Sequence, residues 1–325
     1  MSTRRKFIKN AALLGSAFAL ARPLAACSGG KKTFQPVKEI GLQLFSIREA
    51  LDKDVKGSLA KVAAIGYDHV ETFFDYNKKS PKAAFWGLQV PELKKLLTDS
   101  DLKSYSGHYQ LHDFLTRGNG DQSALSYQID IAAGLGQQYF IVPVPPLMLL
   151  DQLGADDFQF MASQLNKAGE LCRKAGLTIG YHNHFWEFRN LAGGKKGLDI
   201  LIAGTEPDLV TFEMDLFWAK KSGINPDDYF SRYPGRFAMW HVKDMDKNNT
   251  APITGGDQDK KPSLDILQTI SYTEVGTGAI DFREIFSHQE QSGLRHIYVE
   301  QDVIKQDVFA SVKQSFSYVK KNLIS

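Results

Sequence analysis

Short apolar runs alternate with stretches of helical periodicity from residue 37 to residue 325. Strands are expected near 40–46, 69–72, 103–107, 139–142, 178–182, 210–215, 237–241 and 296–300. Helices are expected near 53–65, 91–100, 123–135, 156–175, 198–203, 225–233, 281–292 and 306–322. Such alternation is the mark of a parallel sheet with crossover helices. Three joints, VAAIGYDHVET, RKAGLTIGYHN and EQSGLRHIYVE, repeat the order helix, glycine, strand. The glycine suits the position just past a helix, where the backbone turns left-handed. Eight such units predict one domain, a closed (β/α)8 barrel. The alternative is an open doubly wound sheet, but no GxGxxG or P-loop follows any strand. Two long inserts, 74–90 and 244–278, fall after strands two and seven. Both lie on the side where barrel enzymes do chemistry, and both are expected to be functional lids or disordered.

The first 26 residues do not fit this pattern. RRKFIK precedes an apolar run over 11–21, too short to span a bilayer. Leu24-Ala25-Ala26-Cys27 then resembles a lipobox. The expectation is a twin-arginine signal peptide over 1–26, a lipid on Cys27 and a tether over 27–36. That places the protein on the periplasmic face of a bacterial membrane, touching the membrane only through the lipid. The whole chain has 39 Lys+Arg against 37 Asp+Glu. The leader holds five of the basic residues (Arg4, Arg5, Lys6, Lys9, Arg22), so 34 against 37 remain, a net of −3. Nothing in this balance points to nucleic acid. With Cys27 acylated, only Cys172 is left, and its helical setting reads as core.

Four apolar strands end on a metal-type ligand: His182, Asp215, His241 and Glu300. Strand alternation turns Glu213 and Thr211 the same way as Asp215. Mixed imidazole and carboxylate donors suit Mn²⁺, Zn²⁺, Co²⁺ or Fe²⁺ better than Ca²⁺. Glu71 and His108 close strands two and three and are expected to face the mouth. Lys243 is either a donor to a sugar oxygen or a solvated loop lysine, and Arg48 either a ligand or a rim ion pair. Phe85, Trp86, Trp186 and Trp218 are candidates for an apolar wall. His69, His112, His288 and His296 read as surface or structural.

GLQLFSIRE, YHNHFWEF, EMDLFWA, WHVKD, VGTGAIDFREIF and YVEQD resemble the xylose isomerase-like TIM barrels, which include sugar isomerases, epimerases and inosose dehydratases. The resemblance covers almost all of the chain beyond the leader. It implies a divalent ion (Mn, Zn, Co, Fe or Mg) held by Glu, Asp, His and Glu. Asp215, His241 and Glu300 match, while His182 stands where the family has its first Glu. His182 is then ligand and base, or base alone with Glu187 or Glu213 completing the shell. The resemblance further implies catalytic roles for His182, Glu300 and Lys243. Glu71, His108, His184, Glu187 and Trp218 are expected against substrate; for Glu187 the resemblance implies it, and Trp218 stands where many epimerases have a histidine. The expected activity is a metal-dependent sugar isomerase or epimerase abstracting a proton next to a carbonyl of a sugar or keto-sugar. A keto-sugar dehydratase or lyase using β-elimination is the alternative, and a hydrolase or a non-catalytic sugar-binding lipoprotein comes after it. A homo-oligomer is left open.

Overall fold

In the computed structural model, residues 34–74, 85–254 and 262–324 are described, so the leader and Cys27 lie outside the described residues. Eight parallel strands close a barrel: β1 (Gly41–Gln43), β2 (His69–Phe74), β3 (Lys103–Tyr109), β4 (Tyr139–Val142), β5 (Thr178–His182), β6 (Val210–Asp215), β7 (Phe237–Val242) and β10 (His296–Val299). Each pairs with its sequence neighbour, and β10 closes on β1. The remaining strands, β8 (Asp244–Met245) and β9 (Tyr272–Thr273), form a small antiparallel ribbon after β7. This is the (β/α)8 TIM barrel expected, in a single domain.

The joints follow the expected chemistry. Gly66 and Gly293 cap their helices at φ 114° and 84°, and Gly176 turns at φ 79°. Asp54, Asp215, Asp281 and Asp307 accept hydrogen bonds from backbone N–H groups at helix starts. Boundaries moved by a few residues. The strand expected over 40–46 stops at Gln43 and continues as a 3₁₀ turn, Leu44–Ile47. The helix expected over 281–292 is two, Phe282–Phe286 and Gln289–Ser292.

Inside the barrel, Ile141, Met239 and Tyr298 fill the middle. Gly180 faces them because a Cβ there would stand 2.6 Å from Ile141 Cδ1. Below, His69 is fully buried among the rings of Tyr105, His296 and Tyr298, a structural position as expected. Cys172 is buried and free. Among the described residues, no helix is long and apolar enough to cross a membrane.

Candidate metal centre and substrate pocket

Strand register assembles the site. His182 lies beside Glu213 across β5 and β6, and Asp215 beside His241 across β6 and β7. All four are at most 2% exposed. Their donor atoms form two groups sharing His241, each within 4.8 Å: His108, His182, Glu213 and His241, and Asp215, His241 and Glu300. In the first group, Glu213 Oε2 is 2.9 Å from His108 Nε2, 3.0 Å from His182 Nδ1 and 3.2 Å from His241 Nε2. Glu71 Oε2 joins it, 2.7 Å from His241 Nε2 and 3.1 Å from His108 Nε2. In the second group, His241 Nδ1 is 2.9 Å from Glu300 Oε2 and 4.0 Å from Asp215 Oδ2.

Lys243 crosses the second group. Its Nζ is 3.1 Å from Asp215 Oδ2, 2.7 Å from Glu300 Oε2 and 3.0 Å from Asp302 Oδ1. It is 1% exposed, so the solvated-loop reading of this lysine is excluded. Burial works against its charge, but Asp215, Asp302 and Glu300 outweigh burial and hold the ammonium well above its ordinary pKa. Burial likewise opposes charge on Glu300 and His241. Lys243 and His241 hold Glu300 well below the ordinary carboxylate pKa, and Glu213 and Glu300 hold His241 well above the ordinary imidazole pKa while no cation is bound. Burial pushes Asp215 up to about 6 and keeps His182 and His184 neutral. Glu213 is drawn down to about 2 because His241, His108 and His182 overcome its burial and the charge of Glu71.

The donor set fits a divalent cation. Three imidazoles and several carboxylates turn their donor atoms inward. Glu213 Oε1 is buried without a hydrogen-bond partner. Unsatisfied buried acceptors of this kind need a cation or a donor.

A cavity of about 490 Å³ opens above the cluster. His108, His182, His184, Lys243, Glu300 and Asp302 reach it, and Phe45, Phe73, Trp218 and Tyr272 wall it. The sequence profile of the xylose isomerase-like TIM barrels matches residues 59–310. The chain belongs to this family. Inosose dehydratase from Lacticaseibacillus casei is 27% identical over 170 residues, which make up 50% of this chain and 54% of that one. The chain thus matches about half the length of such curated relatives. A sugar phosphate isomerase/epimerase from Parabacteroides distasonis superposes with a TM-score of 0.73 at 25% identity, covering 90% of this chain and 97% of that one. The IOLI protein with a binding zinc atom shares the fold, with a TM-score of 0.66 at 15% identity over 88% of this chain and 99% of that one.

Within this family barrel, His182, Asp215, His241 and Glu300 meet at one end. His108, His184 and Trp218 reach the cavity, but β3 continues past His108 to Tyr109. Two residues expected against substrate lie outside the cavity lining. Glu71 is fully buried in mid-strand and bonded to Gln43, Ser106 and His241, so it faces the barrel interior and not the mouth. Glu187 is also fully buried, accepting from Tyr181 Oη and the His184 N–H, and does not line the cavity. Phe85, Trp86 and Trp186 pack away from it, and Trp186 stacks on His184. Arg48 donates to the carbonyls of Phe45 and Asp302 in place of an ion pair. Sequence reasoning missed Asp302. Its signal was the i, i+2 spacing from Glu300 in YVEQD, which puts both on one side of an extended chain.

Proposed function

We propose that this chain is a metal-dependent enzyme that removes the proton next to the carbonyl of a keto-sugar and completes the reaction by β-elimination. The observation that carries the proposal is the Glu300–Lys243 pair on the floor of an aromatic-walled cavity, directly against the buried donor cluster. Aromatic walls suit the apolar face of a sugar ring, and the polar floor suits its oxygens. Donors grouped around His241 would hold a divalent cation, which when bound supplies Lewis-acid stabilisation of charge on the substrate's carbonyl oxygen.

The chain's own groups do the rest. Glu300 reaches the cavity as a carboxylate and accepts the proton from carbon. The C–H electron pair moves toward the carbonyl, and the bond from the β-carbon to oxygen then breaks. The departing oxygen leaves as water or an alcohol with the proton that Glu300 removed. Lys243 stabilises the negative charge during this passage. An epimerase needs a second acceptor on the other face, and the family position that would supply it is His182. Its Nδ1 is engaged, 3.0 Å from Glu213, and its Nε2 lies 3.7 Å from Asp215. This supports a ligand role for His182 and favours elimination over two-base epimerisation, as does the similarity to inosose dehydratases.

Isomerisation starts with the same proton abstraction, and the likeness to the Parabacteroides isomerase/epimerase along 97% of that chain favours it as the second reading. The test is incubation of the purified protein with Mn²⁺, Zn²⁺ or Co²⁺ and a panel of inososes, ketoses and keto-glycosides in deuterated water. Elimination releases water or an alcohol and leaves an ultraviolet-absorbing enone. A deuterated product of unchanged connectivity count, without release, would replace this reading by isomerisation or epimerisation.

A further inference from the structure

We propose that the cation of this site sits deeper in the barrel than the family motif implies, on His108 Nε2, His182 Nδ1, His241 Nε2 and the carboxylates of Glu213 and Glu71. Asp215 and Glu300 then stay off the cation. The proposal rests on the metal-dependent reading above.

Three observations lead there. The first is spacing. Donor atoms about 2.1 Å from one ion stand roughly 3.0 to 3.4 Å apart, depending on coordination geometry. Three of the five contacts that link the deeper atoms, at 3.0, 3.1 and 3.2 Å, fall in that range, two at 2.7 and 2.9 Å are shorter, and the donor atoms of His108, His182, Glu213 and His241 all lie within 4.8 Å of one another. Glu213 Oε1, buried and without a partner, adds a further donor at the same place.

The second is orientation. His241 turns Nε2 into the deeper group and presents Nδ1 to Glu300 at 2.9 Å. His182 turns Nδ1 inward and Nε2 toward Asp215 at 3.7 Å. A carboxylate on the outer nitrogen of a histidine is the usual support of a metal-bound imidazole. Glu300 stands in that supporting position at His241, and Asp215 lies nearby, beyond hydrogen-bond distance of either ring.

The third is charge. The alternative position on Asp215 and Glu300 is already served by the Lys243 ammonium, 3.1 and 2.7 Å from their oxygens. A divalent ion on the same oxygens would face a fixed cation at short range in a buried setting, where repulsion is strong. Among the described residues, no lysine or arginine pairs with the deeper group. Three nitrogens with carboxylate oxygens select Zn²⁺, Mn²⁺, Fe²⁺ or Co²⁺ over Mg²⁺, which prefers oxygen and water. Glu300 and Lys243 are thereby left to the substrate.

X-ray absorption on the wild-type protein loaded with Zn²⁺ or Mn²⁺ counts bound imidazoles without any variant. Three are expected; two, the number in the set His182, Asp215, His241 and Glu300, would overturn the deeper site. Calorimetric titration with Zn²⁺ is the second arm. His108→Ala and Glu213→Gln should bind at least 100-fold more weakly. Asp215→Asn and Glu300→Gln should still take up one ion per chain, with the 10- to 100-fold loss typical of supporting residues. Wild-type affinity in His108→Ala refutes the deeper site and leaves metal dependence standing. A wild-type protein that binds none of the four ions refutes metal dependence itself.

Discussion

At the scale of single residues, burial decides more than identity. Lys243 is a rim lysine in sequence, yet three carboxylates from β6 and the end of β10 meet its ammonium at 2.7 to 3.1 Å. Lys243→Met leaves Asp215 and Glu300 buried without their cation, at a cost of about 3–5 kcal/mol. Denaturant unfolding should register that loss together with the loss of turnover. Asp302→Asn should cost far less, because this side chain is 22% exposed and leaves two partners on Lys243. Glu187 carries a pH signature. Burial raises its carboxyl to about 7 against the donors Tyr181 and His184. A carboxyl raised on folding favours the folded state below its unfolded pKa, and that contribution is lost as pH rises toward the folded value. Stability should therefore fall between about pH 5 and 8 by on the order of 2 kcal/mol from this group. Glu187→Gln should flatten that part of the profile, and an unchanged slope would assign it elsewhere.

At the scale of elements, the strand ends were legible and the depths were not. His182, Asp215 and His241 could be read because each closes an apolar run, and strand period fixes which side it faces. Glu71 and Glu213 sit beside register shifts, between His69 and Glu71 in β2–β3 and between Phe212 and Glu213 in β6–β7. Such irregularities re-aim side chains. No local pattern reports how far down the barrel a side chain lands. Within the 244–278 insert the chain forms the β8–β9 ribbon and the helix Ser263–Leu267, and 255–261 lie outside the described residues. Asp244 ties the ribbon down, accepting from the N–H groups of Met245, Gly276, Gly278 and Ile280. Tyr272, on the ribbon, walls the cavity. Asp244→Asn turns an amide toward those donors and should cost roughly 1–3 kcal/mol. It should also raise KM, because Tyr272 loses its support. An unchanged KM would detach the ribbon from substrate binding.

At the scale of the whole molecule, cation and barrel should stabilise each other. A cation at 1,000 times its Kd adds about 4 kcal/mol to the folded state. Chelation should therefore lower Tm by several degrees and restoration of Zn²⁺ or Mn²⁺ should recover it; an unchanged Tm would argue against a tightly held ion. The proposal that residues 1–26 are an export leader and Cys27 a lipid anchor is tested by Cys27→Ser. That chain should move from the membrane fraction to the soluble fraction, and retention in the membrane would refute the anchor. The alternation of apolar runs and helices, punctuated by glycines with positive φ, was enough to determine the barrel, because parallel strands and crossover helices leave few other ways to bury those faces. The motifs were enough to nominate His182, Asp215, His241 and Glu300. Only the tertiary structure decided that Lys243 neutralises the outer carboxylates while Glu71 and His108 join the inner histidines. Those contacts join residues up to 170 positions apart in the chain, and their energy depends on depth and dielectric, which no short stretch of sequence encodes.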